Sequence, residues 1–462
     1  MAISLPTTLW AAQVAAATRL PDARLNARLQ QLLLHFDNKP LDAIPQAMND
    51  CHQAKATYRF LSNERFDAND LLAGLTSVTA SKLRGQSVVY VAHDTTTFSY
   101  SSLKCTTGLG YIGASETARG ILCHSSLALQ SNGVALGLLH QHYWVRDELP
   151  LSPPPPRSSQ DKESVKWLHG VEAAESAVAD LGEAERPRFI HLMDREGDIY
   201  EVLDKIVSLG HGAIIRRYQA RQVEESPGDA DRAIGRAPLV ARLTLKLQAS
   251  HGCQARTAVV ELRSRRLTLR PPLHRRRRGQ GLPWTMVEVR EVEVPAGVAE
   301  PIHWLLWTTE PARTKKQIVQ VIAGYTLRWR VEDLHLTWKQ GCRVEQLQLE
   351  TCARLQKALV LYAGVAVRIL RLRDLARREP EASCTSVLTE EEWQVLYVHA
   401  TGKAVSSSLA VPTVLTVTKW LGRLGGHLGR KGDGLPGVRT LWRGWRDLSL
   451  LVAGYRAGRL GL

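Results

Sequence analysis

The sequence is poor in features that would place it outside the cell or in a membrane. Its seven cysteines (Cys51, Cys105, Cys123, Cys253, Cys342, Cys352 and Cys384) are odd in number, scattered, and include no C-x-x-C pair. That pattern argues against a structural zinc site and for a reducing compartment. No apolar run reaches membrane-spanning length; the best, Ala358 to Leu370, is broken by Arg368. The apolar piece Leu9 to Ala17 has no basic residue ahead of it, so no signal peptide is expected. Acid is scarce: 45 Asp and Glu face 60 Lys and Arg, for a net charge of +15. Such a surplus favours a polyanionic partner, most often nucleic acid, although an arginine-rich proteome would produce it too. No internal repeat is evident, and 44% hydrophobic content excludes general disorder. The expectation is a cytoplasmic protein of two or three domains with no membrane partner.

What is present is organised around Val319 to Cys342. The stretch has no proline and carries Gly341 where a stop would sit, so it reads as one helix of about five or six turns. On a helical wheel Tyr325, Arg328, Glu332 and Lys339 fall within an arc of roughly 60°. A carboxylate between cations suits a metal beside a phosphate. A solvated face of Glu–Lys pairs would give the same stripe, and taken alone it is the better reading.

Upstream, residues 1–70 alternate helix-like segments with turns. Asp22 to Phe36 sets Leu25, Leu29, Leu32 and Leu33 on one face and Arg24 and Arg28 elsewhere; Gln53 to Asn63 carries Lys55 and Arg59. A basic module of this kind serves a DNA contact or a solvated cap equally well. Within 71–375 the period changes. Ser87 to Asp94 reads as a buried strand ending in an acid. Ile121 to Gln130 and Val134 to Trp144 form a hairpin about Ser131-Asn132-Gly133, and Pro153 to Pro156 a stiff loop. A helix is expected from Asp161 to Leu181, with Lys162 and Lys166 one turn apart. Arg188 to Asp194 is a second strand ending in an acid, followed by a helix at Ile199 to Val207 and a strand at Ala213 to Arg216. This is a mixed α/β sheet. From about 221 to 302 the alternation is all-β, with an Arg275–Arg278 run in a loop, which reads as an inserted sheet. His303 to Thr309 returns as a strand bearing Trp304 and Trp307. Arg354 to Arg373 is a long apolar helix, and 376–462 is helical and glycine-punctuated.

Acids at the ends of adjacent strands converge on one crevice, and a later helix can add a third. Asp94, Asp194 and Glu332 are then a set of hard oxygen ligands suited to two Mg²⁺ ions. Singly, an Asp at a strand end is usually a turn former or helix cap. His93 is not needed as a base beside metal-activated water.

The spacing Tyr325-x2-Arg328-x3-Glu332-x6-Lys339 matches without a gap the Y-(2)-R-(3)-E-(6)-K motif of the IS4 family of DDE transposases. YTLRWRVEDLHLTWKQG is similar to the Tn5 (IS50) subgroup of that family. DREGDIYE from Asp194 resembles its second-acid motif and AHDTTTFSY the first. KATYRFLSN, GLLHQHYWVR, HWLLWTTEP and RLGGHLGRKGDGLPGVRTLWRGW extend the likeness over essentially the whole chain. The resemblance implies an RNase H-like catalytic domain with Asp94, Asp194 and Glu332 binding two Mg²⁺ per site, Mn²⁺ substituting. It implies an N-terminal domain that binds transposon ends, where Arg24, Arg28, Lys55 and Arg59 are the candidate contacts. It also implies a C-terminal domain that pairs two subunits on DNA. Tyr325, Arg328 and Lys339 would contact phosphates, and Trp304 would stack on a flipped base. The implied chemistry is cut-and-paste transposition in a bacterial cytoplasm: nicking, hairpin formation, reopening, and joining of 3′-OH ends to target DNA. The inserted β-region departs from the subgroup in carrying arginines where it is lysine-rich. A repressor or domesticated relative, and a metal-dependent nuclease without strand transfer, are the alternatives; the intact acids argue against the first and the Tyr–Arg–Lys stripe against the second.

Overall fold

A computed structural model of the chain describes residues 7–459 apart from 49, 150–162, 248–255, 273–280, 296–297, 299 and 431. The expectations for Pro153–Pro156, Lys162 and the Arg275–Arg278 run lie outside the described residues. Five helices come first: α1 (Thr7–Ala17), α2 (Ala23–Asn38), α3 (Ile44–Ala47), α4 (Cys51–Leu61) and α5 (Ala68–Ala80). The sheet and its helices follow as β1 (Val88–Ser99), β2 (Gly110–Tyr111), β3 (Arg119–Gln130), β4 (Ala135–Trp144), α6 (Val165–Ser176), β5 (Arg188–Met193), α7 (Tyr200–Ser208) and β6 (Gly212–Arg216). Then come α8 (Ala230–Gly235), β7 (Leu239–Leu247), β8 (Arg256–Leu269), β9 (Leu282–Val292) and β10 (His303–Thr308). The chain ends with α9 (Lys315–Thr326), α10 (Trp329–Leu336), α11 (Cys352–Arg378), α12 (Glu390–Thr401), α13 (Val414–Leu424) and α14 (Val438–Arg459).

The N-terminal helices start where the sequence offers a cap. Asp22 accepts from the Arg24 amide, Asp50 from that of Gln53, and Asp67 forms a capping box with Asp70. Leu29, Leu32, Leu33 and Phe36 of α2 are buried, and the Phe36 ring stacks on Tyr362 of α11 at 4.4 Å. The N-terminal helices therefore share one core with α11 and the sheet. A second core holds α12, α13 and α14 against the far end of α11 around Trp393, Leu421 and Trp445. Among the described residues no helix is long and apolar enough to cross a membrane.

One mixed sheet spans the middle, in the order β2-β3-β1-β5-β6-β10-β9-β8-β7, with β4 on β3. The region expected as a separate inserted sheet instead continues the first, because β10 pairs antiparallel with both β6 and β9. That region is not all-β either: Asp229 caps α8 by accepting from the Arg232 amide. Asp94, expected at a strand end, lies inside β1, which runs on to Ser99 against β3. Its parallel ladder with β5 stops earlier, at Ala92 opposite Leu192.

The organising helix is not continuous. α9 begins at a capping box of Thr314 and Gln317, and a tight turn follows, in which Arg328 and Val331 donate to residues three back. α10 then passes into a π turn over Thr337–Gly341. The helical stretch stops at Gly341, and Arg343, at φ 49°, turns the chain. A Cβ on Gly341 would fall 1.3 Å from the Trp442 ring of α14, so the glycine is there for close approach.

Candidate active site

Side chains alternate across β1, so His93 and Asp94 face opposite layers. His93 lies beneath α6, where Gly170 approaches it. Asp94 lies beneath α10, and its Oδ2 is 3.4 Å from His335 Nδ1. β5 ends at Met193, so Asp194 follows directly and caps a 3₁₀ turn by accepting from the Glu196 amide at 2.9 Å. Glu332, on the first turn of α10, accepts from Arg328 Nη2 at 2.7 Å.

Asp94 acts on both of the other acids. Burial raises the Asp194 pKa, the Asp94 charge raises it further, and Arg328 opposes both. Burial also raises that of Glu332, against the pull of Arg328 and with a further push from Asp94. Carboxylates that repel one another in a half-buried crevice are a donor set short of positive charge, which a hard cation would supply. Yet among the described residues no three His, Cys, Asp or Glu side chains are grouped closely enough to hold an ion. Each acid is drawn to a local partner: Asp94 to His335, Asp194 to its own turn, Glu332 to Arg328. The donors fit a divalent cation in kind, and their side chains would have to leave these partners to close on it.

The stripe of the organising helix is less exposed than its wheel implies. Tyr325 is 3% exposed and Arg328 6%. The Trp304 ring meets Tyr325 edge-on at 5.8 Å, and burial raises the Tyr325 pKa. Arg328 lies over Trp329 at 4.9 Å, and its buried Nε has no hydrogen-bond partner among the described residues. Burial works to lower the Arg328 pKa, but Tyr325, Glu332 and Asp94 together raise it. A fixed guanidinium with a spare donor beside three carboxylates is suited to a phosphate. Lys339 sits 5.6 Å from the Phe98 ring, and burial lowers its pKa against the pull of Glu345 and Asp94. In the N-terminal helices Arg24, Lys55 and Arg59 are exposed and Arg28 half-buried.

Two features escaped sequence reasoning. His335 follows Glu332 by three residues, so an E-x-x-H spacing was the available signal. Asp198, 1% exposed, accepts from the Tyr218 and Gln219 amides at 2.7 and 2.8 Å and from Arg221 Nε at 2.9 Å. It fixes the chain leaving β6 beside the site, and only a contact 20 residues away reveals that.

Comparison with known proteins adds three findings. Residues 7–66 match the family model described as "Transposase DNA-binding". Residues 364–460 match that described as "Transposase Tn5 dimerisation domain". Among solved structures, the cryo-EM structure of a piggyBac transposase synaptic complex with hairpin DNA is similar at 9% identity and a TM-score of 0.39, covering 99% of this chain and 78% of that one. A likeness of that size decides neither fold nor activity. The two family matches, one at each end of the chain, support a Tn5-like transposase.

Proposed function

We propose that the protein is a cut-and-paste DNA transposase of the IS4 family, with an RNase H-like catalytic domain at 71–375, an end-binding domain at 1–70 and a pairing domain at 376–462. The observation that carries this reading is the pair of transposase family matches, at residues 7–66 and 364–460, flanking a site where Asp94 raises the pKa of both Asp194 and Glu332 and Arg328 pairs with Glu332. Asp94, Asp194 and Glu332 share Arg328 and, at longer range, Lys339, so the acids outnumber the fixed cations around them.

Asp94, Asp194 and Glu332 would hold two Mg²⁺, or Mn²⁺ in their place. When bound, these ions supply neutralisation of charge on the phosphate oxygens and activation of the attacking hydroxyl. The chain itself positions DNA. Once uncovered, Arg328 would offer its unpaired Nε–H to a phosphate oxygen, and Lys339 a second cation. Trp304, held against Tyr325, presents a face on which an unstacked base recovers about 1–3 kcal/mol. Water attacks the phosphorus at the transposon end and releases a 3′-OH. That hydroxyl attacks the phosphorus of the opposite strand, closing a hairpin and releasing the flanking DNA's 3′-OH; water reopens the hairpin and regenerates the transposon 3′-OH, which attacks a target phosphodiester and releases a target 3′-OH. Exposed Arg24, Lys55 and Arg59, with Arg28, would bind the terminal inverted repeats, and two subunits would pair on the DNA in a bacterial cytoplasm.

The test incubates purified protein with an inverted-repeat end, Mg²⁺ and plasmid. Hairpin-capped and strand-transfer products are expected, and Asp94→Ala should abolish both while end binding persists. Products formed in EDTA, or by Asp94→Ala, would overturn the mechanism. Cleavage without joining would favour the nuclease.

A further inference from the structure

On the face of the sheet opposite the acids, five side chains form an unbroken hydrogen-bonded line. Ser126 Oγ lies 2.9 Å from His93 Nδ1, and His93 Nε2 lies 2.9 Å from His191 Nδ1. His191 Nε2 is 2.9 Å from His211 Nδ1, and His211 Nε2 is 3.1 Å from Glu175 Oε2. The line crosses β3, β1, β5 and the start of β6, then ends on α6.

Its polarity is fixed by one end. An ionised carboxylate only accepts, so His211 donates from Nε2 and accepts at Nδ1. The same assignment passes to His191 and to His93, whose Nδ1 then accepts from the Ser126 hydroxyl. Every ring carries its proton on Nε2, and every donor meets an acceptor. Burial pushes the His191 pKa well below the ordinary imidazole value, in keeping with a neutral ring. Glu175 is held in turn by Arg186 at 3.1 Å.

The backbone ladder between β1 and β5 stops two residues short of both acids, at Ala92 and Leu192. The His93–His191 bond spans the end of that ladder diagonally, from His93 just past the last rung on β1 to His191 just inside it on β5, one residue from Asp94 and three from Asp194. Aliphatic side chains would fill the layer at lower desolvation cost, but would not fix the spacing of the strand ends. Gly170 seats α6 directly on the line: a Cβ there would lie 2.7 Å from Ser126 Oγ and 2.8 Å from His93 Nδ1.

We propose that Ser126, His93, His191, His211 and Glu175 form a tautomer-locked relay of positioning residues, which sets the separation of Asp94 and Asp194 from behind the sheet. No proton has to move along it. The proposal rests on the two acids binding divalent metal, as in the function proposed above.

The test uses the full chain labelled with ¹⁵N-histidine. Long-range ¹H–¹⁵N spectra should assign His93, His191 and His211 as neutral Nε2–H tautomers. Mn²⁺ binding, followed by loss of the free-ion EPR signal, should weaken about tenfold in Glu175→Leu, which leaves the His211 Nε2–H without its acceptor; that is the low end of the range for hydrogen-bond partners outside a metal's ligands. Gly170→Ala, which wedges the opposite end, should weaken it similarly. Should either variant fail to fold, Ser126→Ala replaces it with the same expectation. Nδ1–H tautomers in the wild type, or Mn²⁺ binding unchanged in folded variants, would overturn the relay alone. A wild type that binds no Mn²⁺ would instead overturn the metal-site reading beneath it.

Discussion

Gly341→Ala tests whether the end of the active-site helix is packed onto the C-terminal helices. A Cβ on Gly341 would lie 1.3 Å from Cζ3 and 1.4 Å from Cη2 of Trp442. Carbon atoms settle about 3.5–4.0 Å apart, so the indole would have to retreat by roughly 2 Å. Trp442 is fully buried in the core that contains Trp338 and Cys342, which leaves nowhere to go without opening a void. Overpacking costs about 1–3 kcal/mol, and loss of packing around a tryptophan about 3–5 kcal/mol when complete. A destabilisation of about 3 kcal/mol is therefore expected, read as a lower guanidinium midpoint by tryptophan fluorescence. The π turn that ends at Gly341 also carries Lys339, so metal-dependent cleavage should fall more than end binding. Trp442→Leu in the same chain should relieve the clash, and the double variant should be less damaged than the sum of the singles by about 1 kcal/mol or more. An unchanged midpoint for Gly341→Ala, or strict additivity, would refute the packing argument.

Three further outcomes follow from the charges. Asp194→Asn should raise thermal stability at neutral pH without divalent cations: its folded pKa is raised, so the native carboxylate is penalised once ionised, and that penalty fades as pH falls through the folded pKa. A lower melting temperature for this variant would contradict it. Lys82, half-buried with its Nζ 3.1 Å from the Leu136 carbonyl and near Arg371 and Arg368, has its pKa lowered by desolvation to about 7. Between that value and the unfolded one the unfolded chain binds the extra proton, so stability should climb as pH rises from 7 toward 10; Lys82→Met should flatten that slope and add several kcal/mol at pH 7. Matching slopes in chemical denaturation would count against a desolvated, neutralised lysine. Asp198→Ala strips the partner from Arg221 and two amides in a buried setting and should cost about 3–5 kcal/mol; a urea midpoint within error of wild type would sink the claim that it pins the chain leaving β6.

What the sequence determined by itself is what depends on neighbours in the chain. The start of α2 was legible because its cap, Asp22, lies two residues from the amide it accepts, while α4 begins at Cys51, two residues before the expected Gln53. The Ser131-Asn132-Gly133 turn made the β3–β4 hairpin legible, although β3 is buried on both faces, and alternation made β7, β8 and β9 legible. Asp94 and Asp194 stood out because each follows an apolar run. The tertiary structure alone decided the rest. Whether β7–β9 form a sheet of their own or extend the first rests on which strand β10 finds, a pairing between residues about ninety positions apart. The helix around Glu332 looks continuous in sequence, yet it breaks at Leu327–Arg328 and loosens before Gly341, where Trp442 from a hundred residues away must be admitted. Tyr325 and Arg328 carry polar atoms and read as surface, but Trp304 and the acids enclose them. The histidine line joins residues 98, 20 and 36 positions apart through side-chain atoms. Local backbone preferences cannot encode such contacts; they exist only once the sheet has set which strands are neighbours.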